Sequence, residues 1–514
     1  MHVPQVVYLV ASQVATKAVT FGSNQVLLRR ISPEIFGIAA YLEFLVNSVL
    51  FFSREAVRIA NQRAKSENAV VKFAFLPIFL CGPITIVLLF LQTYSDLYKH
   101  TVAHLPFLGA TMSLIIALIV LELLAEPMFA VNQYKMNFKL RSKVESLAVF
   151  VKCLTVFAAV TIWQNRDRNN DAKTALFDGH AVLSFACGQF MYSAVIFLGY
   201  WRGTSKLPMS NSQTTHSLDS GLYSIWKSLF LQMVFKHFLT EGDTMLVSYL
   251  FTVTEQGVYS VIANYGSMVA RLLFQPIEEL LRVSFTRDLA AKKPDYKRLN
   301  RVMNQLMSFY FNLSLLIVVG GYANGSFLLR MVLGRSEKWA QSSVFDDFPF
   351  YVLYIPFMAF NGILEAFFSS ASSQAQIGNF SIFMSFLSVM VFLLMFILIG
   401  KLDMGIRGLI VANMANMLSR IVYCLKFYVE FFKNHVRVSF RAVLRKSVVP
   451  LACATAALIA QNILFKNGKS ATLTEFLQSL GICFFCLCAM VVNGRDQILA
   501  AASLFRHSSK GKPE

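Results

Sequence analysis

The residues of this chain that could do chemistry sit inside segments that are otherwise apolar. Gln13, Lys17, Thr20 and Asn24 follow one another at intervals of 4, 3 and 4, which at 100° per residue puts them on one face of a helix. Gln232, Lys236, Thr240 and Asp243 form a similar stripe farther along. Glu43, Asn47, Arg54 and Arg58, with Glu55 beside them, make another, and Ser260, Asn264, Ser267, Arg271, Gln275 and Glu278 a fourth. The chemistry of such a set is recognition. Guanidinium groups present a planar fork of donors to phosphate oxygens, while amides and hydroxyls suit sugar or head-group hydroxyls. Glu43, Asp243 and Glu278 are the expected counter-charges.

The elements that carry these stripes must be membrane-spanning helices. Of 514 residues, 56% are strongly apolar, 15% are charged, and Phe alone occurs 48 times, more apolar matter than a soluble fold can hide. Apolar runs of about 20 residues recur along almost the whole chain, each long enough to cross a hydrocarbon core of roughly 30 Å. The pattern predicts an all-α polytopic membrane protein of about 14 helices, near 5–28, 35–53, 71–91, 105–131, 144–163, 181–200, 226–250, 258–281, 304–333, 346–373, 378–399, 405–431, 441–465 and 471–492. The first stretch reads as a span, because no basic region and cleavage site make it a removable signal. A charge facing lipid is unfavourable by about 2.5–3.5 kcal/mol on insertion scales, so the stripes are expected to face one another or a wet cavity. Glu145 and Lys152, seven residues apart, are expected to pair. Glu122, Glu126, Glu365 and Arg420 must also face inward, towards partners that periodicity does not identify.

An even number of spans puts both termini on one side. Lys and Arg number about 29 in the loops and tails of that side against about 13 on the other, so both termini are expected in the cytoplasm. Much of the +19 net charge is then topology, not a nucleic-acid footprint. The Ser/Thr-rich stretch from Gly203 to Ser220 reads as a flexible linker. A register of about 219 residues matches Gln13 with Gln232, Lys17 with Lys236, Asn24 with Asp243, Leu27 with Leu246 and, one residue out, Gly37 with Gly257. The organisation expected is an N-lobe at 1–200, a linker at 201–225, a C-lobe at 226–431 and two further helices with a basic tail at 432–514. The six-helix lobes form a parallel pseudo-repeat.

Other chemistry is not indicated. The chain has no phosphate-binding loop of the G-x-x-x-x-G-K-[ST] type, so movement driven by ATP hydrolysis is not expected. Cys483, Cys486 and Cys488 lack an accompanying His or carboxylate and read as apolar packing, so neither metal nor cofactor is expected. Asp346 and Asp347 read as a solvated cap at a helix N-terminus. The eight His form no catalytic constellation, and an enzyme is not expected. The sequons at Asn312, Asn324 and Asn379 fall within spans or close to a span end and are expected to carry no glycan. The C-terminal Lys510-Gly511-Lys512-Pro513-Glu514 resembles a dilysine retrieval signal; a basic tail near an anionic leaflet is the alternative.

Three segments carry a family resemblance: ISPEIFGIAAYLEFLVNSVLFFSREAVRIA from Ile31 to Ala60, TEQGVYSVIANYGSMVARLLFQPIEE from Thr254 to Glu279, and FNGILEAFF from Phe360 to Phe368. They resemble the Rft-type oligosaccharide-lipid translocation family of the multidrug, oligosaccharidyl-lipid and polysaccharide exporter superfamily. The resemblance implies a multi-pass protein of the endoplasmic-reticulum membrane acting in N-linked glycosylation. The implied cargo is dolichyl-pyrophosphate heptasaccharide, flipped by alternating access with Arg54, Glu55, Arg58, Arg271 and Glu278 in the cavity, and the implied partners are glycosyltransferases of the same pathway. Two alternatives stand beside flipping: a non-transporting scaffold in assembly of the dolichol-linked oligosaccharide, and export of another anionic lipid-linked polysaccharide. Related drug exporters commonly place a carboxylate in the first helix. This chain has no Asp or Glu before Glu34 and presents Lys17 instead, which disfavours a cation-driven drug antiporter.

Overall fold

The computed structural model describes residues 22, 25, 27–61, 64, 66–92, 102–135, 137–167, 174–204, 220–289, 294–333, 337–433, 436 and 440–493. These residues are helical apart from short connections, and the chain divides into two compact units, Met1–Gly257 and Val258–Glu514.

In the first unit α1 spans Pro33–Asn61. Pro33 suits a first helical position because its missing N–H would have no partner there, and the Ser32 hydroxyl accepts from the Ile35 N–H at 3.4 Å. Its 29 residues extend about 43 Å, longer than a hydrocarbon core of about 30 Å, and its last turns carry Arg54 and Arg58. Then follow α2 (Glu67–Phe73), α3 (Leu76–Gln92), α4 (Leu108–Leu124), α5 (Glu126–Tyr134), α6 (Phe138–Asp167), α7 (Thr174–Gly203) and α8 (Ser220–Leu250). The core is built from the apolar face of α1, with Tyr41, Leu45 and Val49 against Leu118 and Ile119 of α4 and Val182 of α7. Helix α8, expected to open the second lobe, packs on α1: Leu222, Trp226 and Leu229 meet Val57 and Ala60, and His237 bonds to Ser48 at 3.1 Å between the rings of Phe51 and Phe52. The unit closes with the first turn of α9, Val253–Val269. There Gly257 lies on α1 so closely that its amide nitrogen would be 3.0 Å from a Cβ at Gly37. The two glycines matched by the sequence register therefore touch.

In the second unit α9 passes through a π-turn at Ala270–Phe274 into α10, Gln275–Leu289. Pro276 explains the turn: it has no N–H, and an ordinary α-helix would drive its ring against the carbonyl of Leu272. The rest comprises α11 (Tyr296–Leu333), α12 (Val344–Val352), α13 (Ile355–Ala371), α14 (Gln374–Met395), α15 (Gly405–Lys433), α16 (Phe440–Leu464) and α17 (Leu473–Asn493). Phe274, Phe285, Tyr310, Phe367, Tyr428 and Phe432 are among the large buried side chains of its core. A polar seam ties the last two helices to α11. Asn324 Nδ2 donates to Ser479 Oγ at 2.9 Å, Gln461 Nε2 donates to the same oxygen at 3.0 Å, and Ser470 Oγ donates to Asn324 Oδ1 at 3.0 Å. With both ends of its amide bonded, Asn324 has no room for a glycan.

Among the described residues 11 helices are long and apolar enough to cross a membrane, and they match 11 of the expected spans. The expected span at 5–28 lies almost wholly outside those residues. Lys227, Lys236, Glu241 and Asp243 dilute α8, and Gln256, Asn264, Arg271 and Gln275 dilute the expected eighth span. Two expectations change. First, Asp346 and Asp347 are not a solvated pair. Asp346 is exposed, with Lys469 Nζ 3.8 Å away, whereas Asp347 is buried and accepts from Arg407 Nε at 2.8 Å. Adjacent helical residues point about 100° apart, so when one faces solvent the other faces α15. Second, Glu145 and Lys152 do not pair. Arg141 Nε donates to Glu145 at 2.8 Å, one turn away, and Lys152 Nζ donates to Glu43 of α1 at 3.0 Å. Cys483 and Cys486 pack with Val319, Ala454 and Met490. Of the linker expected at 201–225, residues 205–219 lie outside the described residues, while 201–203 belong to α7 and 220–225 to α8.

Candidate functional site

In the first unit the arginines of α1 find partners other than those expected. Arg54 Nη1 donates to Glu122 Oε1 at 2.6 Å and lies 3.4 Å from Glu126 Oε1. Arg58 takes Glu126 with two donors: Nε reaches Oε2 at 2.9 Å and Nη2 reaches Oε1. Ser193 of α7 donates to the other oxygen of Glu122 at 3.0 Å, and the Arg58 guanidinium lies 4.1 Å from the centre of the Phe129 ring. Both carboxylates are almost wholly buried, Glu122 at 5% exposure and Glu126 at 3%. Each is held by two donors, which is what offsets the desolvation of a buried charge. The four residues form a ladder, because Arg54 and Arg58 are four apart on one helix and Glu122 and Glu126 four apart across α4 and α5. The equal spacing was the signal in the sequence; it went unread because only contacts at a separation of 68 residues reveal it.

The other residues of the expected site in this unit are dispersed. Glu43 is taken by Lys152, Asn47 is exposed, and Glu55 is half-buried on α1. Lys17 and Asn24 lie outside the described residues, as do the side chains of Lys236 and Asp243 on α8.

In the second unit the structure brings Asn264 and Arg271 together. The π-turn carries Arg271, whose Nη2 donates at 2.8 Å both to the Asn264 backbone oxygen and to its Oδ1. The side chain is exposed, and among the described residues no carboxylate pairs with it. Arg420 of α15 pairs with Glu365 of α13, and Asn361 Nδ2 donates to that carboxylate at 3.1 Å. Glu278 of α10 lies with its carboxylate directly over Gly362 of α13. Sequence reasoning placed Glu365 and Arg420 inward without a partner; the structure makes them partners of one another. Among the described residues no group of three or more His, Cys, Asp or Glu could hold a metal ion.

Comparison with known proteins agrees with this helical architecture. The profile of the Rft protein family matches residues 3–503. The Man(5)GlcNAc(2)-PP-dolichol translocation protein RFT1 of Candida albicans is 38% identical over 515 residues, covering 93% of this chain and 90% of that protein. The protein of the same name from Saccharomyces cerevisiae is 36% identical over 476 residues, covering 83% of this chain and 82% of that one. A solved structure of the lipid II flippase MurJ, in an inward closed conformation, superposes with a TM-score of 0.65. It is 14% identical and covers 96% of this chain and 100% of that one, a likeness of fold alone.

Proposed function

This chain belongs to the Rft protein family, and from that membership we propose that it translocates dolichyl-pyrophosphate-linked Man5GlcNAc2, a heptasaccharide, across the endoplasmic-reticulum membrane from the cytosolic to the lumenal leaflet, for N-linked glycosylation. Translocation needs no covalent step, so the demands on the protein are to neutralise two phosphates, to house the glycan in a wet cavity and to leave the polyprenyl tail in lipid. In this reading both termini are cytoplasmic. Lobes at 1–200 and 226–431, joined by 201–225 and followed by 432–514, alternate in access. Glycosyltransferases of the same pathway are the partners that supply and consume the lipid.

The observation that carries the recognition site is Arg271. Its guanidinium is exposed and, among the described residues, bonded only to Asn264, seven residues back, so its remaining donors are available to phosphate oxygens. Lys17 and Lys236 join it as further cations, with Asn24, Asn47, Asp243, Asn264 and Glu278 as polar lining. Arg54 and Arg58 enter only by exchange, because Glu122 and Glu126 already occupy them. That occupancy favours, for these two residues, a structural role consistent with the scaffold reading.

The test is head-group translocation in sealed vesicles with purified protein and labelled dolichyl-pyrophosphate oligosaccharide. Arg271→Ala is expected to lower the rate about tenfold to a hundredfold, the worth of a charge-assisted hydrogen bond, with unchanged membrane abundance. Arg271→Lys should retain part of the rate, since it keeps the charge and loses the fork. An Arg271→Ala protein that flips at the wild-type rate removes this residue from the site. A folded wild-type protein that flips nothing yet restores glycosylation in depleted cells establishes the scaffold.

A further inference from the structure

Through the apolar part of α1 the open surface is one narrow stripe. Between Ile35 and Leu50 the side chains that are not buried are Phe36, Ala40, Glu43 and Asn47, at intervals of 4, 3 and 4, so they share one face. The rest of the helix surface is packed. Glu43 lies 8 residues from Ile35 and 9 from Phe52, the ends of its apolar run, which puts it at the middle of the hydrocarbon. Lys152 of α6, whose Nζ donates to Glu43 Oε1 at 3.0 Å, is central in its own span, 12 residues from each end of Leu140–Gln164.

This pair does not face lipid. The large exposed side chains of the neighbouring spans are apolar, Ile116 and Val120 on α4 and Phe150 and Leu154 on α6, as a lipid-facing surface requires. Lys152 is two residues from Phe150 and from Leu154, so it lies about 200° round α6 from both, on the reverse of that surface. Nor is the pair sealed like the arginine ladder, whose carboxylates are each held by two donors. The Glu43 side chain is 54% exposed and that of Lys152 27%. Charges open to hydrocarbon at this depth are strongly unfavourable, so Glu43, Asn47 and Lys152 face water, in a wet groove beside α1 and α6.

We propose that Lys152 is a mid-membrane anion-binding residue of the first unit, whose ammonium passes from Glu43 to a phosphate oxygen of the cargo, with Asn47, one turn from Glu43, bonding head-group hydroxyls. This rests on the reading of the chain as a carrier of a pyrophosphate-linked lipid. Arg54 and Arg58 are unsuited to the exchange, because their departure leaves Glu122 and Glu126 buried and unpaired, whereas an exposed pair holds little stability and opens readily. An ammonium on a flexible four-carbon stem can swing between two acceptors without the geometry that a guanidinium fork demands. Glu43 supplies the other half of the device. It competes for the ammonium, so the anion is held tightly enough to enter and weakly enough to leave. Without cargo the pair closes on itself and the groove carries no net charge there.

Two measurements on the full chain test this. In membrane fragments open to both faces, Asn47→Cys is expected to react with a charged methanethiosulfonate reagent above the wild-type background, and Phe150→Cys is not; an inert Asn47→Cys removes the groove and the proposal with it. In detergent, binding of labelled dolichyl-pyrophosphate oligosaccharide is compared among variants. Lys152→Gln is expected to raise Kd about tenfold, the worth of a charge-assisted hydrogen bond, and Glu43→Gln to lower it about threefold, because the competitor is gone. A pair with a purely structural role moves Kd in neither variant or weakens binding in both. The double change Glu43→Gln with Lys152→Gln leaves no charge unpaired and should bind as Lys152→Gln does, so it serves if a single variant does not fold. The proposal is overturned if removal of Lys152 leaves Kd at the wild-type value or if Glu43→Gln binds more weakly than wild type. Wild-type protein that binds the lipid and flips none of it overturns the translocation reading alone; wild-type protein that binds none overturns both.

Discussion

Glu126→Ala is expected to destabilise the protein by about 3–5 kcal/mol, the usual consequence of removing one partner from a buried ion pair. Glu126 accepts two donors from Arg58 and lies within 3.4 Å of Arg54. Its loss leaves Arg58 with little beyond the Phe129 ring, 4.1 Å from its guanidinium, and a ring contributes only about 0.5–2 kcal/mol. The double change Arg58→Met with Glu126→Leu, which replaces the pair by apolar groups of similar volume, should recover most of the loss. Thermal unfolding of the solubilised protein and its steady-state abundance are the readouts. A loss below about 1 kcal/mol for Glu126→Ala, the size of an exposed pair, would mean that the ladder contributes little to stability and that both arginines are free for a ligand.

Gly257→Ala should be nearly as damaging for a steric reason. A Cβ at 257 would overlap the carbonyl oxygen of Pro33, and one at 37 would overlap that of Val253, so in each case the obstacle is backbone rather than a side chain that can rotate away. Overpacking of a tight contact costs typically 1–3 kcal/mol, and about 3 kcal/mol is expected here because neither helix can yield locally. The sign distinguishes packing from propensity. Alanine is the better helix former by about 1 kcal/mol, so Gly82→Ala and Gly109→Ala, where a Cβ meets open space, are expected to be neutral or stabilising. If all the alanine variants unfold at the wild-type temperature, α1 and α9 are not in close contact at these glycines.

The stripes of the sequence carried directions but not partners. Periodicity places Arg54 and Arg58 on one face of α1, and they do share one. It cannot say that the facing carboxylates come from α4 and α5, because a helical wheel holds no record of a neighbour 68 residues away. Glu145 and Lys152 illustrate the opposite hazard: a spacing of seven is compatible with a pair, yet Arg141 is one turn from Glu145 and Glu43 is opposite Lys152, and each nearer charge wins. Eleven of the expected spans were legible because the length of a membrane helix is fixed by the bilayer and depends little on packing. The π-turn of α9 was not read, although Pro276 stood in the sequence as its cause. Glu278, expected as a counter-charge, lies half-buried against Gly362, a contact with no side chain and hence no pattern to find.

The arginine ladder also sets a problem in time. A ribosome that adds about 5–20 residues per second needs roughly 3–14 s to proceed from Arg54 to Glu122, so α1 emerges with two cations well before their partners exist. A nascent helix in that condition does best with its charged end at the membrane surface, where water and lipid phosphates can serve until α4 and α5 arrive. Charge reversal in the first pair to form would then be felt as slow or failed biogenesis before it was felt in the finished protein. Pulse-chase protection of the loop after α1 would time that wait.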